Sequence, residues 1–262
     1  MTARTVMART VTAEEDGRGM QVARAQQGLR ELILAGDLPP GKRVSEPAMV
    51  DRLGVSRTPV RLALERLARE GLVTPGASGG FVVRAFTAAD LADGIEVRGT
   101  LEGLAARLAA ERRPTAADLA PLRACVADLD RVVAPPTLSE ADFDAYVRLN
   151  AFFHEELVRL AGSGVVARAI EQASAQPFAG PSAFVRLHAT EPAGRDTLVV
   201  AQEQHRLLLD AITRGQGARA EALAAEHARV AQRRLGAALA DRDRLDGLPG
   251  GSLLRLAAGK RA

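Results

Sequence analysis

Arg57 and Arg61 stand one helical turn apart in VSRTPVRLALERLAREG, and His154, His205 and His227 recur farther along a chain that has only four histidines. The two groups suggest two chemistries. An arginine at the front of a helix can give parallel donors to guanine O6 and N7 in the major groove, while Thr58 and the helix N-terminus suit phosphate oxygens. Neutral imidazoles that converge at one height can hold a divalent metal such as zinc, nickel or manganese and leave positions open for a carboxylate. Asn150 and His154 are four residues apart, so both project from one face of a helix. His205 and His227 lie on either side of Gly215-Gln216-Gly217, each about ten residues from that turn. Antiparallel helices there would bring the two rings level. His188, in PSAFVRLHAT, breaks the spacing and is expected to be an exposed or core residue.

The arginines need a rigid element to present them. Ser45 can cap a helix over residues 46–53, and Gly54 can end it in the left-handed conformation. Ser56 can cap a second helix after a turn of about three residues, the length a helix-turn-helix needs. Pro59 has no N–H to offer, so the Ser56 hydroxyl is expected to accept from Thr58. Val60, Ala63, Leu64 and Leu67 form a core-facing stripe with Arg57 and Arg61 beside it. Gly71 closes this helix. Residues 72–74 and 81–84 read as strands around Pro75-Gly76-Ala77-Ser78-Gly79-Gly80, a hairpin slim enough to reach DNA backbone or minor groove. An ordinary surface hairpin would not combine turn, cap, arginine spacing and wing.

The charge distribution agrees. The formal net charge is +3, but residues 1–86 hold 13 Lys/Arg and 9 Asp/Glu, or +4, which leaves −1 for the rest. The basic excess therefore sits with the two arginines, as phosphate neutralisation favours. No Trp and one Tyr leave too few aromatics for a platform that stacks single-stranded bases, so duplex DNA is preferred. Cys125 is alone and allows no internal disulfide. No apolar run is long enough to span a bilayer and no signal-peptide core is present, so a cytoplasmic, non-membrane protein is expected.

The histidines need a bundle. Thr87-x-x-Asp90, Thr115-x-x-Asp118 and Ser139-x-x-Asp142 are capping-box starts, each followed by apolar residues at helical spacing. Later helices are expected near 164–175, 196–214 and 218–240, giving about six antiparallel helices around an interior that can hold a ligand. The whole is read as mainly α. Residues 1–20 form a flexible arm, 21–86 a winged helix-turn-helix of three helices and a β-hairpin wing, 87–240 the bundle, and 241–262 a tail.

ILAGDLPPGKRVSE, LGVSRTPVRLALERLAREGLV and the Gly-Gly wing resemble the DNA-binding domain of the GntR family of bacterial transcription regulators. VRGTLEGLAARLAA, NAFFHEELVRLAG and the His205/His227 pair resemble the FCD effector domain of the FadR subfamily, with a helix count like its VanR-like branch. The resemblance implies DNA contacts at Ser56, Arg57, Thr58, Arg61 and Gly80. It implies a metal site at Asn150, His154, His205 and His227, and an effector contact at Arg98. Two substitutions mark the head: Pro47 stands where fatty-acid-responsive relatives have a DNA-contacting arginine, and Leu62 where glutamate is usual. In the effector domain Asn150 replaces an aspartate, so a neutral amide oxygen stands where a charged ligand is usual; the alternative is a metal-free polar pocket in which the same side chains hydrogen-bond a ligand directly.

The function expected is a homodimeric repressor that binds a short palindromic operator and responds to a small carboxylic acid. Arg98 would meet that carboxylate or pair with Glu102 one turn later. A metal-dependent hydrolase would need a general base, yet Glu155, Glu203 and Glu226 only neighbour the histidines in sequence, and adjacent helical residues point about 100° apart. No enzyme activity is expected. An architectural DNA-binding protein without effector would have little use for a polar histidine cluster in its core.

Overall fold

The computed structural model describes residues 3–176, 179–182, 185, 194–233 and 250–255, so His188 lies outside the described residues. The chain forms two units. The first holds Met1–Phe86 together with residues 250–255, and the second begins at Thr87.

In the first unit α1 (Ala3–Leu34) places Val22, Ala25, Leu29 and Ile33 in the core at helical spacing. The helix starts far earlier than the flexible arm expected over residues 1–20. That stretch lacks an apolar stripe and mixes Ala, Arg, Met and Glu with Thr, Val and Gly, so it continues a helix already anchored downstream, where adding a residue needs no new nucleus. Next come β1 (Arg43–Val44), α2 (Glu46–Leu53) and α3 (Arg57–Arg69). Ser45 caps α2 through Ala48 N at 3.4 Å, and Gly54 ends it at φ 62°. β2 (Val73–Pro75) and β3 (Phe81–Val83) form the wing, with β1 on the far side of β3 in the order β1-β3-β2. β1 adds a third strand to the two-stranded wing expected from the sequence, and its two residues are too short to carry a period.

The C-terminal stretch, expected to be tail, contributes to the same unit. A 3-10 turn over Gly251–Leu253 buries Leu253 and Leu254. Phe86 N donates to Leu253 O at 2.9 Å, Arg255 N to Phe86 O at 2.8 Å, and Gly250 N to Leu34 O at 2.8 Å. Backbone pairing and two buried leucines outweigh the glycine-rich run that made this segment look unstructured.

The second unit is helical throughout its described residues. α4 (Ala88–Glu111), α5 (Ala116–Val133) and α6 (Glu140–Ala161) each begin with a complete capping box on Thr87, Thr115 and Ser139. α7 (Gly164–Ser174), α8 (Gly194–Thr213) and α9 (Gly217–Arg233) follow. The core joins Leu122, Leu129, Phe153, Leu157, Leu208 and Ile212 from α5, α6 and α8.

α4 and α9 make the most intimate helix contact of the unit. Gly99 and Gly103, one turn apart on α4, meet the backbone of α9: a Cβ on Gly99 would stand 2.6 Å from Ala228 Cβ, and one on Gly103 3.0 Å from Glu221 O. Ion pairs Glu96–Arg229 and Arg107–Glu221, at 2.6 and 3.3 Å, flank the seam. Both are half-exposed and add little to it. A Gly99→Val chain should therefore lose about 1–3 kcal/mol of stability through overpacking. Urea unfolding followed by circular dichroism checks this, and an unchanged midpoint would mean that the seam has room to relax.

Candidate functional site

The reading surface is built from α3 outward. Val60, Ala63, Leu64 and Leu67 are fully buried, which fixes the rotation of the helix and leaves Arg57, Thr58 and Arg61 exposed. Ser56 is the N-cap in extended conformation, but its side chain makes no capping bond, contrary to the expected bond to Thr58. Pro59 removes the donor that a capping serine normally finds at the third helical position, and the exposed hydroxyl stays available to another partner. Arg61 is only loosely held by Glu65 at 3.6 Å. Gly80, at φ 73°, lies beside the Arg43 guanidinium, whose Nε would be 3.0 Å from an added Cβ. Arg43, Ser45, Pro47, Arg57 and Gly80 line one open depression between α3 and the wing. Arg43 is a cation that sequence reasoning missed, since nothing in its spacing sets it apart from other surface arginines.

The second site lies inside the helical unit. α6 carries Asn150 and His154, α8 carries His205 and α9 carries His227, all four buried. The three histidines offer ligand nitrogens that all lie within 4.8 Å of one another. His205 Nε2 and His227 Nε2 are 3.1 Å apart, so the helices that flank the Gly215-Gln216-Gly217 turn do bring these rings level. Asn150 lines the same cavity, with its amide nitrogen donating to Pro181 O at 3.2 Å and Ser182 Oγ at 3.1 Å.

Arg98 and Glu102, a turn apart on α4, complete this centre. Both are 2% exposed, and Arg98 Nη1 donates to Glu102 Oε2 at 2.8 Å. Glu102 Oε1 stands 3.0 Å from His154 Nδ1, off the line of a straight N–H bond, so this is chiefly an electrostatic approach. Desolvation alone would raise the Glu102 pKa, but His154 and Arg98 outweigh it and hold the group at about 2. Burial is the main force on the other side of the site. It pushes His205 well below its ordinary value, helped by His227 and His154, and lowers His227 to about 3.

Arg98, Tyr146, Asn150, His154, Thr197, Leu198 and His227 border a cavity of about 40 Å³, by a measure in which one water needs at least roughly 10–15 Å³. Four buried polar atoms of these residues have no hydrogen-bond partner among the described residues: Arg98 Nε, Tyr146 Oη, His154 Nδ1 and His154 Nε2. Unpaired buried groups cost stability, so a place that collects them is shaped for something they can bind. Tyr146 escaped sequence reasoning because a single tyrosine on an apolar face reads as core. As for a general base, Glu203 is paired with Arg206 at 2.6 Å and Glu226 with Arg229 at 3.8 Å. The buried thiol of Cys125, raised to about 11 by desolvation first and then by Asp128 and Glu156, is no nucleophile at neutral pH.

A winged helix-turn-helix followed by a helical ligand-binding unit defines a transcription regulator that joins reader and sensor in one chain. The model of the FCD domain matches residues 93–230, and that of the bacterial regulatory proteins of the gntR family matches residues 21–83. The chain belongs to the GntR family, as a FadR-like regulator with an FCD domain. A helix-turn-helix transcriptional regulator of Streptomyces ambofaciens is 33% identical over 189 residues, covering 71% of this chain and 73% of the relative. The Nta operon transcriptional regulator of Aminobacter aminovorans is 38% identical over 121 residues, 46% of this chain and 54% of that one. Among solved structures, Escherichia coli McbR/YncC matches with a TM-score of 0.56 at 24% identity over 83% of this chain and 96% of its own, a likeness of fold. No described helix is long and apolar enough to cross a membrane.

The depressed histidines make stability pH-dependent. In the metal-free protein His205 and His227 remain neutral in the fold, whereas in the unfolded chain they titrate near 6.5. Their contribution is complete above pH 6.5 and declines as pH falls towards 3, by about 1.4 kcal/mol per unit and residue at most. The chelator-treated chain should lose urea resistance between pH 7 and 5, and His227→Gln should flatten that loss. Identical slopes in both proteins would contradict the buried, neutral assignment.

Proposed function

We propose that this regulator binds a short palindromic operator as a dimer, with Arg57 and Arg61 reading guanines in the major groove. Ser56, Thr58 and the Gly80 wing would contact phosphates. The reading is supported by exposed arginines on a helix whose rotation the core fixes, in the unit that holds the basic excess. Two symmetric heads match a two-fold operator. The protein works in the cytoplasm as a repressor, and its effector is a small carboxylic acid.

The observation that carries the sensor half is the clustering of His154, His205 and His227 beside a cavity with unpaired Arg98 and Tyr146 atoms. The residues fit a divalent metal. Three buried imidazoles can supply nitrogen ligands, His154 Nε2 has no partner among the described residues, and Asn150 borders the same cavity and could add an amide oxygen. Bound there, zinc, nickel or manganese would act as a Lewis acid that draws a carboxylate oxygen. Arg98 and the Tyr146 hydroxyl would hold the other side of that carboxylate. The small cavity selects a compact acid. Effector binding would then weaken operator binding by a coupling of about 1–3 kcal/mol.

Two experiments test the halves separately. Arg57→Ala and Arg61→Ala should each weaken binding to a duplex selected by the wild-type protein by about 1–3 kcal/mol, with melting unchanged. Gel-shift titration decides, and equal affinities would remove both arginines from the interface. For the sensor, His205→Ala and His227→Ala should abolish stoichiometric metal after dialysis, whereas Asn150→Asp should retain more of it. Elemental analysis that finds no metal in any variant would leave a histidine-lined acid pocket instead.

A further inference from the structure

Each of the three histidines has its second ring nitrogen beside a side-chain oxygen. His205 Nδ1 is 3.0 Å from Gln202 Oε1, His227 Nδ1 is 3.1 Å from Gln204 Oε1, and His154 Nδ1 is 3.0 Å from Glu102 Oε1. The oxygen beside His205 is locked from behind: the Gln202 amide nitrogen donates to Val126 O at 2.9 Å and to Asp130, which Arg206 also holds at 2.9 Å. Both partners are acceptors. The amide oxygen must therefore face the ring, and His205 must carry its proton on Nδ1, with a lone pair on Nε2.

That lone pair points at His227 Nε2, 3.1 Å away. Two nitrogen ligands each about 2.1 Å from one ion stand roughly 3.0–3.4 Å apart, so the pair already has the separation of neighbours in a coordination shell. Without an ion, two bare lone pairs would repel at this distance, and one proton would have to lie between them. With Gln204 accepting from His227 Nδ1, that proton has no natural home, and a cation takes its place. Glu102 Oε1, 3.0 Å from His154 Nδ1 but off the N–H line, favours the proton on that nitrogen through its charge, and is itself steadied by Arg98 at 2.8 Å.

We propose that Gln202, Gln204 and Glu102 are positioning residues that hold all three histidines with the proton on Nδ1, so that three Nε2 lone pairs face one divalent ion. This rests on the metal reading above. The two glutamines come from the same helix as His205, three residues and one residue before it, so a single segment, QEQH, sets both the ligand and two of its supports. Acceptors behind ligand histidines usually change metal affinity about 10–100-fold when removed.

The test uses the full chain, stripped with a chelator and titrated with cobalt(II), whose visible absorption reports the ligand set, and with zinc in competition against a chromophoric chelator. Wild type should take up one ion per chain. Gln204→Ala and Gln202→Met should bind at least about 10-fold more weakly, while the metal-free proteins keep the wild-type helix content by circular dichroism. Gln204→Glu, which keeps an acceptor, should bind as tightly as wild type or tighter. Glu102→Gln should weaken binding and alter the cobalt spectrum through His154. Unchanged affinity in Gln204→Ala and Gln202→Met, with wild type loaded, would overturn the positioning role alone. Equal losses in Gln204→Ala and Gln204→Glu would also overturn it, since packing and not hydrogen-bond acceptance would then be at stake. A wild-type chain that takes up no cobalt or zinc would instead defeat the metal reading, and the positioning role with it.

Discussion

The close approach of α4 to α9 is the constraint on which the sensor unit depends. Gly99 and Gly103 remove two side chains from the seam, and Ala228 and the Glu221 carbonyl fill the space. The gain is van der Waals contact along two backbones. The consequence is positional. Arg98 and Glu102 neighbour those glycines on α4, and His227 neighbours Ala228 on α9, so the same approach that closes the seam brings the buried ion pair to His227, while His154 reaches Glu102 from α6. A wider seam would take Arg98 and Glu102 away from His227.

Burying that group is costly. A guanidinium and a carboxylate taken out of water lose several kcal/mol each, which mutual attraction only partly returns. A core built for stability alone would be apolar here. The structure keeps the charges, leaves one arginine nitrogen and one tyrosine hydroxyl without partners among the described residues, and sets depressed histidines beside them. The site is held together by the rest of the unit, where capping boxes start three helices and Leu122, Leu129, Phe153 and Leu157 form the packed interior.

Much of this was legible in the residues. Caps on Thr87, Thr115 and Ser139, the left-handed Gly54 and the stripe Val60-Ala63-Leu64-Leu67 are local signals, each set by a few neighbours in sequence. Equal distances from the Gly215-Gln216-Gly217 turn sufficed to level His205 with His227. What escaped depends on partners far away along the chain. Gln202 becomes meaningful only through Val126 and Asp130 on α5, and Arg43 only through Gly80 across the sheet. The N-terminal half of α1 escaped for the opposite reason: it has neither a periodic apolar face nor strong propensity, and continues a helix anchored farther on. The missing Ser56 cap was a small error of the same kind, in which an alternative donor was assumed where none is used.

The return of residues 250–255 to Phe86 and Leu34 has a temporal meaning. As the chain is synthesised, α1, α2, α3 and the wing emerge early, but the strand-like partner of Phe86 emerges only after the whole helical unit. Until then Phe86 and the end of α1 lack a cover that buries two leucines. The loop to be closed is long, yet its entropy grows only with the logarithm of length. The reading head of a nascent chain is thus left unfinished until its sensor has been made.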